Sequence, residues 1–218
     1  MKHECKSNLG HYLTYVLIMG IFNLAGCDGG ESSIDEQVTS INPASLECTV
    51  KMGDGSEYFR CTSSEKGFMI TRGNELLLRI TAEEKEFIAY NANAAIAGRV
   101  ELSTEGFNLQ GSNKVKLFEF NRQADGDWKL KYADDSQIYR VKLRDYGYEI
   151  EGANDSSLFK AKRKGDKRSL RDSSENSIAY SKDSFSELAL VPFAFQSVMS
   201  EDLCLILFVC LARNSHVN

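Results

Sequence analysis

Cysteine and histidine are the residue types most often used for nucleophilic catalysis and zinc binding, and this chain distributes its histidines unevenly. His3, His11 and His216 lie near the two ends of the 218-residue chain, so the long stretch between them contains none. Ser-His-Asp catalysis, Cys-His catalysis and His-based zinc sites therefore lack a residue that they require. The sequence predicts no metal site and no resident cofactor.

Paired carboxylates could still support catalysis, because hydrolases that use two Asp or Glu residues need no histidine. Asp134 with Asp135 and Glu83 with Glu84 are such pairs, but both lie in polar, turn-like segments. Neighbours on a strand also point to opposite faces. A carboxylate-dependent hydrolase is thus the alternative to our leading hypothesis, a non-enzymatic binding or interaction module. A structural or assembly role is a third hypothesis.

The N-terminus has the pattern of an export signal. Lys2 and Lys6 precede an apolar run that begins at Leu13 and ends in small residues at Ala25 and Gly26. This run is well short of the roughly 20 residues that cross a bilayer. We therefore predict a signal peptide over residues 1–26.

The four residues Leu24-Ala25-Gly26-Cys27 resemble the lipobox of bacterial lipoproteins. The resemblance implies that Cys27 receives a diacylglyceryl group, that cleavage falls between Gly26 and Cys27, and that the new N-terminus is acylated. Asp28 resembles the residue that retains enterobacterial lipoproteins in the inner membrane. We expect the lipid bilayer as a partner through Cys27. The periplasmic side of the inner membrane is favoured, with the outer membrane or cell surface left open.

Residues 27–45 are rich in Gly, Ser, Asp and Glu and are predicted to be a tether with a reach of roughly 20–25 Å. Loss of the signal removes two lysines and one glutamate, which changes the net charge from −5 to −6. This acidity and the predicted export argue against a nucleic-acid partner. Residues 140–171 hold ten basic and five acidic residues. They could face anionic lipid head groups or a protein partner, or be solvated strand faces.

Cys48 and Cys61 flank an Asp54-Gly55 pair, which is typical of a two-residue hairpin turn. Pairing outward from that turn places the two cysteines opposite each other at a non-hydrogen-bonded position, where side chains approach most closely. We predict a Cys48–Cys61 disulfide in the oxidising envelope. Two buried free thiols are the alternative.

Short alternating segments fill residues 46–182 and predict a mainly β domain, an antiparallel meander of short hairpins that forms a barrel or a sandwich. Three segments align without gaps at a period of 20 residues: Trp128–Arg144, Tyr148–Lys164 and Arg168–Ser184. Asp135, Asp155 and Glu175 occupy their equivalent turns. Each unit is one strand-turn-strand hairpin, and a fainter copy runs from Leu109 to Asn121.

Residues 183–218 are predicted to form a helical segment packed on the β domain. Pro192 should interrupt the apolar stretch 184–199. Ser200 then resembles an N-cap for residues 203–212, which are apolar on every side and must be buried, with Cys204 and Cys210 as packing residues.

A repetitive β body with a buried C-terminal helix resembles the tubby-like and LURP-one-related fold over about residues 60–212. This resemblance implies a β-barrel around a hydrophobic helix and, in some members, binding to phosphoinositides or other lipids. The helical tail with Pro192 departs from a single central helix, and no residue matches a defined binding motif.

Overall fold

The computed structural model describes residues 45–214, where short strands follow one another as far as residue 181. The strands are β1 (Cys48–Met52), β2 (Glu57–Ser64), β3 (Gly67–Arg72), β4 (Glu75–Ala82), β5 (Glu86–Tyr90), β6 (Ile96–Leu102), β7 (Gly106–Gln110), β8 (Lys116–Arg122), β9 (Trp128–Tyr132), β10 (Gln137–Arg144), β11 (Gly147–Glu151), β12 (Ser157–Lys164), β13 (Lys167–Asp172) and β14 (Ser177–Ser181). A 3₁₀ helix, Glu187–Phe195, and helix α1, Glu201–Asn214, complete the fold.

Each strand pairs antiparallel with its neighbours in the chain, and β1 pairs with β14 to close a barrel. The ladder at this seam is short and includes Lys51 opposite Tyr180. Outside this ladder, the Thr49 N–H has a side-chain acceptor in place of a strand carbonyl. It donates a hydrogen bond to the Asp183 carboxylate at 2.8 Å. The predicted mainly β meander is confirmed, and of the two architectures left open the chain forms the barrel.

The fourteen strands are seven copies of one hairpin, spaced about every 20 residues, and the three aligned copies are the last three. One inward-facing position in the first strand of each hairpin shows the repeat clearly, because none of its seven occupants has exposed surface. They are Val50, Ile70, Ala89, Leu109, Leu130, Ile150 and Leu170. Since side chains alternate across a strand, these residues form one ring inside the barrel.

Most hairpins reverse through the same three-residue loop. In one example, the Tyr132 N–H donates to the Ser136 carbonyl at 2.9 Å and the Asp135 N–H donates to the Tyr132 carbonyl at 3.0 Å. The last loop residue has positive φ, 68° at Asp135, 57° at Asp155 and 64° at Glu175. This geometry is that of a three-residue hairpin with a bulge. The predicted equivalence of these three turn positions is confirmed.

Helix α1 lies inside the barrel. Every residue from 203 to 212 is at most 4% exposed, as expected for a helix that is apolar on all sides. The Phe208 ring lies 5.0 Å from the Phe59 ring of β2 and 5.7 Å from the Phe193 ring of the 3₁₀ helix. The Ser200 hydroxyl accepts a hydrogen bond from the Leu203 N–H at 3.4 Å. The predicted buried C-terminal helix and its cap are confirmed.

The packing at Gly98 of β6 brings α1 close to the sheet. A Cβ at Gly98 would lie 2.8 Å from Leu203 Cδ2 and 3.3 Å from Ile206 Cδ1. Glycine at this strand position thus lets α1 approach the sheet closely. The same residue weakens the β pattern in the sequence.

The two ends of the barrel are different. At the turn end, the seven hairpins reverse tightly and the 3₁₀ helix connects to α1. Strand β1 begins at the open end, and β14 and α1 end there. Short loops at this end join successive hairpins. Both termini of the described chain therefore lie at the open end.

Candidate functional site

The residues predicted for lipidation, cleavage and sorting, Gly26, Cys27 and Asp28, lie outside the described residues. The signal peptide, the acyl anchor and the envelope location stay predictions. The structure does show where the following chain joins the barrel. The Leu46 N–H donates to the Ser63 hydroxyl at 2.7 Å, which fixes the start of β1 at the open end.

Cys48 and Cys61 face each other across β1 and β2, as the register predicted. The turn between them is one residue longer than expected, because Met52 rather than Gly53 pairs with Ser56. A register shift further along the two strands compensates for the extra residue and restores the predicted partners. Met52, at the start of this turn, is 37% exposed.

No disulfide is present between Cys48 and Cys61, and both are buried free thiols in this structure. The pairing is confirmed, whereas the bond stays a prediction. A hydrogen bond with the Cys61 thiol and burial together raise the pKa of Cys48 far above its ordinary value. Because the thiolate is the reactive form, burial and the raised pKa both disfavour reaction at Cys48 in the folded barrel.

Cys204 and Cys210 are both buried in α1, which confirms their predicted packing role. Burial raises the pKa of Cys204 to about 12 and raises the pKa of Cys210 as well. Neither thiol is poised for chemistry.

The basic region 140–171 is largely neutralised by ion pairs. The paired side chains are Arg140, Lys142, Arg144, Lys160, Lys162 and Arg163. Four of the carboxylates that they contact lie outside the region in sequence: Asp125, Asp127, Glu175 and Glu187. An anionic head group or a protein partner at this face stays a prediction, with less free positive charge than the sequence count indicates.

The two carboxylate pairs lie in exposed turns at opposite ends of the barrel, Asp134–Asp135 at the turn end and Glu83–Glu84 at the open end. Hydrogen bonds from the Ser136 hydroxyl and N–H lower the pKa of Asp134. Within residues 45–214, no group of three or more His, Cys, Asp or Glu side chains is placed to hold a metal ion.

A cavity of about 620 Å³ opens at the open end, where the loops after β6 and β8 and the ends of β10 and β11 meet the end of α1. The Trp128 ring forms one wall and stacks on Phe120 at 4.9 Å and on Phe107 at 6.0 Å. Leu188 of the 3₁₀ helix and Leu211 of α1 line the floor. This aromatic and aliphatic lining, in a cavity of ordinary ligand size, is typical of small-molecule sites. We call it the Trp128 cavity.

The polar residues that line the Trp128 cavity include one cation, Arg122, and one carboxylate, Glu105, together with Thr104, Gln123, Tyr148 and Ser186. Arg122, at the end of β8, is exposed, and its guanidinium forms no hydrogen bond or ion pair with any described residue. Tyr148 lies opposite, half-buried, and burial raises the pKa of its hydroxyl while a hydrogen bond with Ser186 opposes that rise. A fixed aromatic wall beside a free cation suits a ligand that is apolar at one end and anionic at the other.

A second cavity of about 560 Å³ lies beside the first, and Leu143 and Tyr148 line both. Its other lining is polar and includes Arg163 and Glu187. The Arg163 Nε lies 3.7 Å from Glu187 Oε1, and that buried oxygen has no hydrogen-bond partner among the described residues. We call this space the Glu187 cavity.

Sequence reasoning did not find these cavities. Their residues come from six separate segments that only the barrel closure brings together. One signal was available: Trp128, the single tryptophan, begins the first of the three aligned repeats.

Within the part of the chain that the structure describes, no helix is long and apolar enough to cross a bilayer. In comparisons with known proteins, no family model, curated protein or solved structure matches this chain.

Proposed function

We propose that the chain is a lipid-anchored protein of the bacterial cell envelope whose barrel binds an amphipathic ligand and catalyses no reaction. One observation supports the binding role: the Trp128 cavity joins an aromatic wall to the unpaired Arg122 guanidinium. An acyl chain would fill the apolar part, and a carboxylate or phosphate would pair with Arg122.

The position of the cavity agrees with the proposed anchor. The lipobox-like residues Leu24–Cys27 support acylation of Cys27, and Asp28 supports the periplasmic side of the inner membrane. The chain that follows Cys27 joins the barrel at Leu46, at the same end as the cavity mouth. An acyl chain could then pass between the bilayer and the cavity over a short distance.

Tryptophan fluorescence provides a direct test, because Trp128 is the only tryptophan. The full chain in phosphatidylcholine liposomes should show saturable quenching by dibromostearate, since bromine quenches indole on contact. Arg122→Gln should weaken this binding by about tenfold or more, because it removes a charge-assisted hydrogen bond. Arg79→Gln on the outer face of β4 is the matched control and should not change it. Absence of saturable quenching would refute the binding role.

The anchor has its own test. Cells that make the wild-type chain should incorporate labelled palmitate into it, and Cys27→Ala should abolish the label and most of the membrane association. An unlabelled wild-type chain would refute the lipoprotein proposal without affecting the binding result.

A further inference from the structure

The side chains that line the Trp128 cavity offer more hydrogen-bond donors than acceptors. The Arg122 guanidinium has several N–H groups and no ion-pair partner among the described residues. Hydroxyls provide further O–H donors, from Thr104, Tyr148 and Ser186. Glu105 is the one carboxylate of this lining, and it is exposed. A head group that only accepts hydrogen bonds therefore fits the lining better than one that donates them.

Tyr148 is a donor whose position is fixed by the 3₁₀ helix. Burial raises the pKa of Tyr148, so its hydroxyl keeps the proton at neutral pH. A hydrogen bond with Ser186 opposes that rise, which is the effect of a donor to the phenol oxygen. Ser186 caps the helix, because its hydroxyl oxygen accepts a hydrogen bond from the Leu188 N–H at 3.2 Å. The Tyr148 proton is thus left for an acceptor in the cavity.

The charges near Tyr148 favour an anion with a single charge. After burial, the charge of Glu187 also raises the pKa of Tyr148, but Glu187 is ion-paired with Arg163 at 3.7 Å. The charge of Arg122 lowers that pKa, which agrees with their shared place in the lining. A phosphate monoester would bring about two negative charges. The lining has only Arg122 to pair with them, and Glu105 would repel them.

The floor of the Trp128 cavity is aliphatic and closed. Leu188 of the 3₁₀ helix is 8% exposed, and Leu211 of α1 is 4% exposed. Both helices are packed against the inside of the barrel, so this floor is fixed. An alkyl chain that enters beside Trp128 must end against these two leucines, which limits the length of the chain.

Resting on the proposed function, we propose that the ligand is a single-chain fatty acid, whose carboxylate binds Arg122 and Tyr148 and whose chain ends against Leu188 and Leu211. A carboxylate at neutral pH accepts hydrogen bonds and donates none, as the lining requires. Ser186 is a positioning residue, because it acts on the ligand through the Tyr148 hydroxyl. Leu188 and Leu211 set the preferred chain length.

The head group is tested by displacing dibromostearate from the full chain in liposomes, read as recovery of Trp128 fluorescence. The competitors are stearate, octadecanol and octadecyl phosphate, which share one alkyl chain and are compared at equal mole fraction in the bilayer. Stearate should compete about tenfold better than octadecanol, because only the carboxylate forms charge-assisted hydrogen bonds. Stearate should also compete about fivefold better than octadecyl phosphate, because the lining holds one cation and one carboxylate.

A matched pair of variants tests the role of Tyr148. Tyr148→Phe should weaken stearate binding by about fivefold and reduce its advantage over octadecanol, because the ring remains and one donor is lost. Tyr146→Phe is the control, because Tyr146 lines only the Glu187 cavity. It should leave both values unchanged. Urea midpoints confirm that each variant is folded.

The floor is tested with saturated fatty acids of increasing chain length. Leu188→Ala removes about three carbon atoms from the floor, so the best competitor should become longer by about two or three methylene groups. Leu188→Val should give a smaller shift and serves if the alanine variant does not fold. Leu190→Ala is the control, because Leu190 is fully buried in the same helix but does not line the cavity. It should keep the wild-type preference.

The outcomes separate this inference from the proposed function. Octadecyl phosphate that competes as well as stearate would overturn the fatty-acid inference and retain the proposed function. A stearate affinity unchanged in Tyr148→Phe, or a chain-length preference unchanged in the folded Leu188 variants, would also overturn the inference. No saturable quenching by dibromostearate would refute the proposed function itself.

Discussion

The turn end and the open end of the barrel are built from the same repeated hairpin, yet they serve different purposes. At the turn end, strand side chains tie down the connection between the two helices: Tyr58 contacts Gln196, Tyr139 and Ser197 lie 2.9 Å apart, and Arg72 pairs with Glu201. At the open end, the connections between hairpins are no longer than the turns at the other end, but two cavities lie beside them.

This difference shows how a uniform repeat can hold a local site. The ring of seven fully buried residues runs round the whole barrel, so this layer of the interior is shared by all seven hairpins. The asymmetry comes from the outermost layer at the open end, where Phe107, Trp128 and Tyr148 occupy equivalent positions in successive hairpins. Packing thus stabilises one end, while the other retains space for a ligand.

The largest expected effect comes from breaking the interior that both ends share. Phe208 is fully buried against the rings of Phe59, Phe185 and Phe193. Phe208→Ala should lower the free energy of unfolding by about 3–5 kcal/mol, because it leaves a cavity. Urea denaturation measures this, and Leu117→Ala on the outer surface should cost less than about 0.5 kcal/mol. A loss below 1 kcal/mol for Phe208→Ala would contradict the central role of α1.

The next effect concerns the thiol pair near the open end. If Cys48 and Cys61 are oxidised during export, the bond closes a short loop and should add about 3 kcal/mol to the free energy of unfolding. The midpoint of urea unfolding should then fall on reduction in wild type but not in the Cys48→Ala, Cys61→Ala double variant. Mass spectrometry of unreduced protein gives the second readout. Two alkylatable thiols in the exported, unfolded chain would disprove the disulfide.

A smaller effect should come from disturbing the backbone of the open end. Gly147 has φ of 131°, and a Cβ there would lie 2.3 Å from the Ala161 carbonyl oxygen. Gly147→Ala should therefore cost about 2 kcal/mol in strain. Gly165 also has positive φ, 62°, but nothing lies within 4 Å of its Cβ position, so Gly165→Ala should cost only about 1 kcal/mol. Equal losses in the two variants would show that the close approach at Gly147 is unimportant.

The smallest effect concerns charge at the turn end. Hydrogen bonds from Lys162 and Lys160 lower the pKa of Glu175 to about 2, from an ordinary value of 4.5. Because the folded pKa is the lower one, the pairing stabilises the fold above pH 4.5, and this stabilisation is lost as the pH falls toward 2. Glu175→Gln should flatten this part of the curve of unfolding free energy against pH. Asp155→Asn, at the equivalent turn position without an ion pair, should not.

The β architecture was largely predictable because the repeat has a strong sequence signal. Apolar residues recur at a fixed period at Leu130, Ile150 and Leu170. All three side chains are buried in the barrel interior. The signal fades in the earlier hairpins, where Ala89 and Gly98 replace larger residues because α1 approaches the sheet there. The turn at Asp54-Gly55 is one residue longer than the predicted type, since a compensating register shift leaves no trace in the sequence.

The candidate site could not be predicted in the same way. Arg122 is an ordinary charged residue in the sequence, and only the fold shows that it lines a cavity without an ion-pair partner among the described residues. Arg140 and Lys142 looked equally available in the sequence, but Asp127 and Glu151 pair with them in the fold. Only the closed barrel decides which charges are neutralised and which face a cavity.

The central claim is that the open end holds an acyl chain, and a reporter moved between the two ends of β9 tests it most directly. Trp128 lies at the open end of that strand, and Tyr132, which is 42% exposed, lies at its turn end. Dibromostearate should quench Trp128 saturably in the wild-type chain in liposomes. In the Trp128→Phe, Tyr132→Trp double variant, the same ligand should give no saturable quenching. Equal saturable quenching at both ends, or none at Trp128, would contradict the account.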